Sequence, residues 1–212
     1  MSAQRALFSD DKRRSRIGEA ILAIEKGQPF TTQELLAQDL GSRDAIDQTL
    51  SRLVRRGDLR RLARGLYYRP KHHPALGELI PDTNLIAQAA ARKTGSKLLA
   101  SGAQSANRLG LTTQVPAKAV FYTDGRSRRL KLGHEIIDLR HVSPRRMSAA
   151  ETGAGPIIEA LRTLGPEHAT ESIGAALAKQ LDDRTKDDLI EHLHEAPEWM
   201  KPLLRKVISS NR

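Results

Sequence analysis

The stretch from Thr31 to Pro70 constrains the fold of this chain most, because two short helical patterns in it are followed by an alternating hairpin pattern. Threonine at its start and an acid three residues later are typical of a helix N-terminus. Ser42 predicts the start of a second helix, and Gly57 predicts its end. One apolar stripe with helical spacing runs along that second helix: Ile46, Leu50, Leu53 and Val54.

The segment after Gly57 alternates between apolar and basic residues as far as Arg69, around a turn predicted at residues 63–65. Such alternation indicates a hairpin with one face in the core. Helix, turn, helix and basic hairpin in this order predict a winged helix-turn-helix. That fold lays its second helix in the DNA major groove and its hairpin against phosphates or the minor groove. We therefore expect residues 1–72 to form a winged helix-turn-helix DNA-binding domain.

The charged residues of this region are almost all basic. From Arg52 to Lys71 there are eight basic residues and one acid, Asp58, whereas a solvated protein face usually mixes signs. The whole chain carries a net charge of +10, which favours double-stranded DNA as the partner. Its aromatic content of 3% disfavours single-strand recognition by base stacking. A small helical bundle whose basic hairpin contacts other proteins remains the alternative interpretation.

The second helix, which would be the recognition helix of this fold, supplies the residues predicted to read bases. Such helices present their N-terminal residues to base edges, and Arg and Gln form bidentate hydrogen bonds with bases. We therefore predict that four residues read the base sequence: Ser42, Arg43, Gln48 and Arg52. Six further arginines are predicted to contact phosphates or the minor groove: Arg55, Arg56, Arg60, Arg61, Arg64 and Arg69.

The rest of the chain predicts a second, mixed domain. Prolines at positions 70, 74 and 81 indicate a domain boundary, so this domain is expected to span residues 73–212. Three strand patterns at 119–123, 127–132 and 135–140 are separated by tight turns and predict a small antiparallel sheet. A helical tail follows from about residue 153, with eight basic and eleven acidic residues from Met147 onward. The fold class expected is therefore α+β.

Nothing in the sequence indicates an enzyme or a metal site. Gly41-Ser42 with Asp44 and Asp47 faintly resembles the nucleotidyltransferase pattern, but that chemistry needs the acids on a strand, and here they lie in a helix. Adjacent histidines at 72 and 73 diverge in an extended segment, which disfavours a shared metal ion. We expect no catalytic residues, no metal and no cofactor. With no secretory signal and no long apolar run, we expect a cytoplasmic protein without membrane contact.

Several segments resemble the antitoxins of the AbiEi family, which belong to type IV toxin–antitoxin and abortive-infection systems. The likeness lies in residues 41–54, 60–67, 101–103, 109–111 and 114–123, and it extends over about residues 10–145. It is most specific in the Leu-Ala-Arg-Gly-Leu-Tyr run that ends at Tyr67 and in the Gln-Val-Pro-Ala run that begins at Gln114.

The resemblance implies a bifunctional protein. Its winged helix would bind inverted repeats in its own promoter and repress the operon, and its C-terminal domain would counter a nucleotidyltransferase-like toxin. The residues themselves indicate only the DNA-binding half of this description, and the antitoxin half depends on the resemblance. A stand-alone winged-helix regulator, with a C-terminal domain that senses a ligand or dimerises, is the alternative. A nucleic-acid-processing enzyme is a more distant one.

Overall fold

The computed structural model describes residues 16–132 and 135–210. The chain divides into two compact units, Met1–Thr94 and Gly95–Arg212. The first unit thus includes residues 73–94, which the sequence assigned to the second domain.

The first unit begins with the elements of the expected DNA-binding fold. Helix α1 (residues 16–23) is followed by β1 (Pro29–Thr31), α2 (Thr32–Leu36), α3 (Arg43–Arg56), β2 (Arg60–Ala63) and β3 (Leu66–Tyr68). Strand β3 lies between β1 and β2 and is antiparallel to both. This order of elements and this sheet confirm the winged helix-turn-helix, and we call β2, β3 and their turn the wing.

Local sequence signals explain where these helices begin and end. Thr31 and Glu34 form a capping box at the start of α2, since each side chain accepts the other residue's backbone N–H. The Ser42 hydroxyl accepts the N–H of Ala45 and caps α3. Gly57 ends α3 with a φ of 83°, a left-handed conformation that costs a glycine little.

The core of this unit gathers the apolar stripes of its helices. Ile17 and Ile21 of α1, Leu35 of α2, and Ile46 and Leu50 of α3 are all fully buried in one cluster. The predicted apolar stripe of α3 therefore lies in the core, with Val54 partly buried beside it. The sequence also predicts a helix from Asp10-Asp11 to about Lys26 with Ile17 and Ile21 on its inner face; both are buried as predicted, and the start of this helix lies outside the described residues.

The segment that the sequence indicated only as a proline-broken boundary is ordered secondary structure. Strands β4 (Lys71–His73) and β5 (Gly77–Leu79) pair antiparallel in a separate two-stranded sheet, which we call the ribbon. Gly77 adopts a φ of 72° after a three-residue turn, as is common in hairpins of this length. Helix α4 (Thr83–Arg92) follows, with the side chain of Asp82 capping its start.

The second unit contains a four-stranded sheet. Its elements are β6 (Leu98–Ala100), α5 (Gly102–Arg108), β7 (Ala119–Thr123), β8 (Arg128–Leu132) and β9 (Glu135–His141). The spatial order is β6-β7-β9-β8, and β7 pairs parallel with β9. The three predicted strands exist, but the pairing differs from the expected antiparallel succession. Strand β9 is apolar and buried in its middle and so takes a central position, whereas the alternating basic residues of β8 suit a sheet edge.

The predicted helical tail is present. Helices α6 (Ala154–Leu164), α7 (Glu171–Gln180), α8 (Asp183–His192) and α9 (Lys201–Ser209) pack around one apolar cluster that includes Leu161, Leu177, Leu189 and Leu204. The molecule is therefore α+β, as its sequence predicted. Within the described residues, no helix has the length and apolar character that crossing a membrane requires.

Candidate nucleic-acid interface

The outer face of α3 carries a stripe of long polar side chains. Gln48, Arg52 and Arg55 follow one another at intervals of four and three residues, so they share one face of the helix, and all three are exposed. They border a shallow surface depression together with Asp44, Asp47, Thr49 and Ser51. Arg52 and Arg55 form no ion pair with any residue that the structure describes, so their charge is available to a partner.

The first turns of the same helix differ in charge from the last. Arg43 donates a hydrogen bond from Nε to the carboxylate of Asp47 at 3.0 Å, and Asp44 is exposed beside this pair. The N-terminal half of α3 therefore offers nearly balanced charge and several hydrogen-bonding groups, whereas its last turns offer cations. Such an exposed pair is worth only about 0.3–0.5 kcal/mol, so Arg43 can exchange Asp47 for another acceptor at little cost.

The wing is short, and its turn lies against its own unit. Arg64 and Gly65 form the turn; the ammonium of Lys93 donates to the carbonyl of Arg64, and the N–H of Thr32 donates to the carbonyl of Gly65. Because both carbonyls of the turn are held in this way, the wing projects little beyond the end of β1. The side chain of Arg64 is nevertheless exposed to solvent.

Three of the predicted phosphate contacts have partners within the first unit. Arg56 forms an exposed ion pair with Asp58, with Nη2 and Oδ2 2.6 Å apart. Arg61 donates to the carbonyl of Ala63. The strongest of these pairs is formed by Arg60, whose guanidinium donates to both carboxylate oxygens of Glu78 at distances of 2.8–3.1 Å.

Glu78 links the ribbon to the sheet of the winged helix. Besides Arg60, the hydroxyl of Tyr68 donates to this carboxylate at 3.1 Å. Burial and the hydrogen bond to Glu78 raise the pKa of Tyr68 to about 12. Burial on its own would raise the pKa of Glu78, but the hydrogen bonds from Arg60 and Tyr68 outweigh it and lower that pKa below its ordinary value.

Arg69 has a structural position at the other end of the sheet. Its Nη1 atom donates to the carbonyl of Leu22 at 2.5 Å and to the carbonyl of Ile24 at 2.6 Å. These carbonyls lie at the C-terminal end of α1, where a cation also compensates the helix dipole. The geometry thus gives this guanidinium an intramolecular role as a helix cap.

The ten predicted site residues therefore fall into separate groups. The structure brings Gln48, Arg52 and Arg55 together on one face of α3. Two arginines are bound within the unit, Arg60 and Arg69, and the Ser42 hydroxyl caps α3. The remaining four lie at the exposed surface: Arg43, Arg56, Arg61 and Arg64.

The sequence analysis overlooked Glu78. The signal was available, because Glu78 is the first acid after Asp58 in a strongly basic run and is therefore the natural partner for one of its arginines.

The second unit has charged groups of its own. On its sheet, Arg129 of β8 donates to both oxygens of Asp138 of β9, and its hydrogen bonds lower the pKa of that aspartate. Glu159 of α6 is buried and accepts two hydrogen bonds from Arg146, whose guanidinium also stacks over the ring of Tyr122, with 4.2 Å between the guanidinium carbon and the ring centroid.

Among the described residues, no group of three or more His, Asp or Glu side chains is placed to hold a metal ion.

Comparisons with other proteins give a family and one distant structural likeness. A model of the family DUF6088, described as a family of unknown function, matches residues 16–189. No curated protein matches the chain. The crystal structure of the RV2827C protein from Mycobacterium tuberculosis is similar at 14% sequence identity, with a TM-score of 0.41 over 92% of this chain and 81% of that chain. We draw no conclusion from so distant a likeness.

Proposed function

The chain belongs to DUF6088, a family of unknown function, and we propose that it is a sequence-specific DNA-binding protein that represses its own operon. In this proposal α3 enters the major groove of double-stranded DNA, and the protein acts in the cytoplasm. One observation carries the proposal: a winged helix-turn-helix exposes Gln48, Arg52 and Arg55 on the face of the helix that such folds present to bases.

The charge gradient along α3 supports specific recognition rather than general attraction to polyanions. Its first turns carry Arg43, Asp47 and Gln48, which can donate to and accept from base edges; an aspartate accepts from cytosine, and Arg or Gln bonds guanine or adenine. Its last turns carry Arg52 and Arg55, which suit phosphates or guanine at the groove edge. The last turns of the helix can therefore fix its position on the DNA, while the first turns can read the base sequence.

We narrow the proposed set of phosphate contacts according to the intramolecular partners of each arginine. We retain Arg55, Arg56, Arg61 and Arg64, because all four are exposed and none has a buried partner. Arg60 and Arg69 leave the set, since their guanidinium groups are engaged by Glu78 and by the end of α1. For the base-reading set, Ser42 contributes through its position at the helix N-terminus, as its hydroxyl already caps α3.

We further propose that the protein is an antitoxin whose Gly95–Arg212 unit counters a nucleotidyltransferase-like toxin. This part is supported by the sequence resemblance to the AbiEi family, which extends to about residue 145. The alternative is a regulator without a toxin, in which the same unit senses a ligand or dimerises. Co-expression with the product of a neighbouring toxin gene separates the two, because only an antitoxin restores growth. Failure to restore growth would favour the regulator.

The first experiment is a fluorescence-anisotropy titration of the full chain with the DNA upstream of its own gene. A scrambled duplex of equal length is the control, and both are measured at two salt concentrations. We expect tight binding to the upstream DNA, at least about a thousandfold tighter than to the scrambled duplex. Equal and strongly salt-dependent affinity for both would reduce the protein to a general polyanion binder and contradict the proposal.

A further inference from the structure

We propose that the ribbon, β4 and β5 with their turn, inserts its tip into the DNA minor groove and bends the duplex. This inference rests on the proposed function, because it assumes that α3 occupies a neighbouring major groove. It assigns a role to a segment that neither the sequence patterns nor the family model explains.

The tip of the ribbon is apolar and exposed. Pro74, Ala75 and Leu76 form the turn, and Leu76 keeps 73% of its surface accessible. Apolar side chains that stay exposed at the end of a hairpin gain free energy when a partner removes them from water. Leucine and proline are among the residues that proteins insert between base pairs from the minor groove, where they unstack one step and kink the duplex.

The sides of the ribbon match the charge of DNA. Lys71, His72 and His73 on β4 are all exposed. The acid on the opposite strand, Glu78, is directed to Arg60 and Tyr68, so its charge is compensated within the protein. An apolar tip flanked by cationic and hydrogen-bonding groups fits a groove lined by phosphates better than it fits an apolar protein surface.

The ribbon is fixed close to the recognition helix. Arg60, which anchors Glu78, also lies near the carbonyl of Gly57, the residue that ends α3. The turn is ordered as well, since the N–H of Ala75 donates to Nδ1 of His73. A rigid projection beside the C-terminal end of α3 can meet the groove adjacent to the one that α3 enters without an ordering cost on binding.

The ribbon is long enough to reach the floor of the minor groove, and the kink opens that groove, which is only about 6 Å wide in straight B-DNA, to admit the tip. Three-residue strands at about 3.3 Å per residue give a length of roughly 10 Å, more than the roughly 7.5 Å depth of that groove. The wing cannot do the same, because its turn is held by Lys93 and Thr32 against the body of the unit. The ribbon is therefore the part that enters the minor groove, while the wing contributes the phosphate contacts of Arg61 and Arg64.

The test measures bending of the upstream duplex by energy transfer between dyes at its two ends, with the full chain. The variant is Leu76→Ser, and the matched control is Val115→Ser, which alters an apolar side chain that is 80% exposed in the other unit. We expect the wild type and Val115→Ser to bend the DNA. Leu76→Ser should lose the bend and bind about tenfold more weakly, as expected for a leucine that is no longer removed from water.

Each outcome is decisive. If Leu76→Ser binds and bends the duplex as the wild type does, the inference is overturned while the proposed function stands. If the wild type binds specifically but leaves the DNA straight, the insertion is likewise refuted. If Leu76→Ser changes only self-association in size-exclusion chromatography, the tip contacts a second copy instead. If the wild type binds no duplex, the proposed function fails, and this inference fails with it.

Discussion

Helix α3 and the segment that follows it contain the same number of arginines but use them differently. Helix α3 has four, and residues 60–69 have four. On α3, Arg52 and Arg55 are exposed without an ion-pair partner among the described residues, and Arg43 and Arg56 have only exposed partners. In the following segment, Arg60 and Arg69 are bound by a carboxylate and by helix carbonyls.

This difference shows that net charge in a sequence overestimates the charge offered to a partner. An arginine presents its guanidinium to DNA only when its own chain does not provide a better acceptor. The bidentate carboxylate of Glu78 and the carbonyls at the end of α1 are such acceptors. The solvated carboxylate of Asp47, four residues after Arg43, is not. The following predictions test this division, from the largest effect to the smallest.

The double variant Arg52→Ala/Arg55→Ala should weaken binding most, because it removes both unpaired arginines of α3. With a salt slope of about 0.9 per phosphate contact, loss of the Arg55 contact is worth about fivefold in affinity between 1 M and 0.15 M salt, and loss of the base contact of Arg52 adds about 1–3 kcal/mol. We expect the salt slope to fall by about one unit in an anisotropy titration, and the ratio of affinities for the upstream and scrambled duplexes to fall as well. An unchanged slope would show that α3 does not contact the backbone. Arg60→Ala is the control and should leave the slope as it is.

Arg69→Ala should lower the free energy of unfolding rather than DNA affinity. It removes two charge-assisted hydrogen bonds to the end of α1, and we expect a loss of about 1–2 kcal/mol in a urea titration followed by circular dichroism. The salt slope of the folded variant should equal that of the wild type. If the slope fell by one unit with stability intact, Arg69 would belong with the phosphate contacts after all.

Arg64→Ala should have a smaller effect on binding, because it removes one exposed side chain from the wing turn. We expect about fivefold weaker binding to all sequences and a salt slope smaller by about one unit. The specificity ratio between the upstream and scrambled duplexes should not change. If neither affinity nor slope changes, the wing turn does not reach the DNA backbone.

Stability should depend weakly on pH through Glu78. Its pKa is lowered in the folded protein, so the carboxylate stabilises the fold at pH values above its ordinary pKa, and this contribution disappears as pH falls through the folded value. The group is partly exposed, so the contribution is under about 1 kcal/mol. Glu78→Gln should be less stable than wild type at pH 6, and the difference should vanish near pH 3. A difference that persists at pH 3 would assign the effect to packing.

The sequence predicted the winged helix well because its signals are local. Capping by Thr31 and Ser42, the apolar stripe of α3 and the turn before Leu66 each depend on residues close in the chain. The pairing of β7 with β9 and the hydrogen bonds between Arg60 and Glu78 join residues far apart in the chain. Such contacts cannot be predicted from the spacing of residues within one segment. The ribbon was overlooked because its prolines suggested a break, although Pro70 precedes β4 and Pro74 lies in the turn.

In the candidate site, the exposed face of α3 follows from the sequence, whereas the intramolecular partners of Arg60 and Arg69 do not. Gln48, Arg52 and Arg55 could be placed on one face from helical spacing alone. The competing partners of Arg60 and Arg69 became visible only when the sheet and the ribbon brought Glu78 and the end of α1 into contact with them. The antitoxin role remains a prediction, since neither the family model nor the structure tests it.

The contact between Arg69 and α1 also sets an order of events during synthesis. The first helix receives the cap of its last carbonyls from a residue 45–47 positions later in the chain, and the N–H of Gly27 pairs with the carbonyl of the same residue. A nascent chain that has not yet left the ribosome as far as Arg69 therefore holds α1 without its cap. The first helix and the end of the three-stranded sheet therefore gain these contacts only after the chain has been synthesised beyond Arg69.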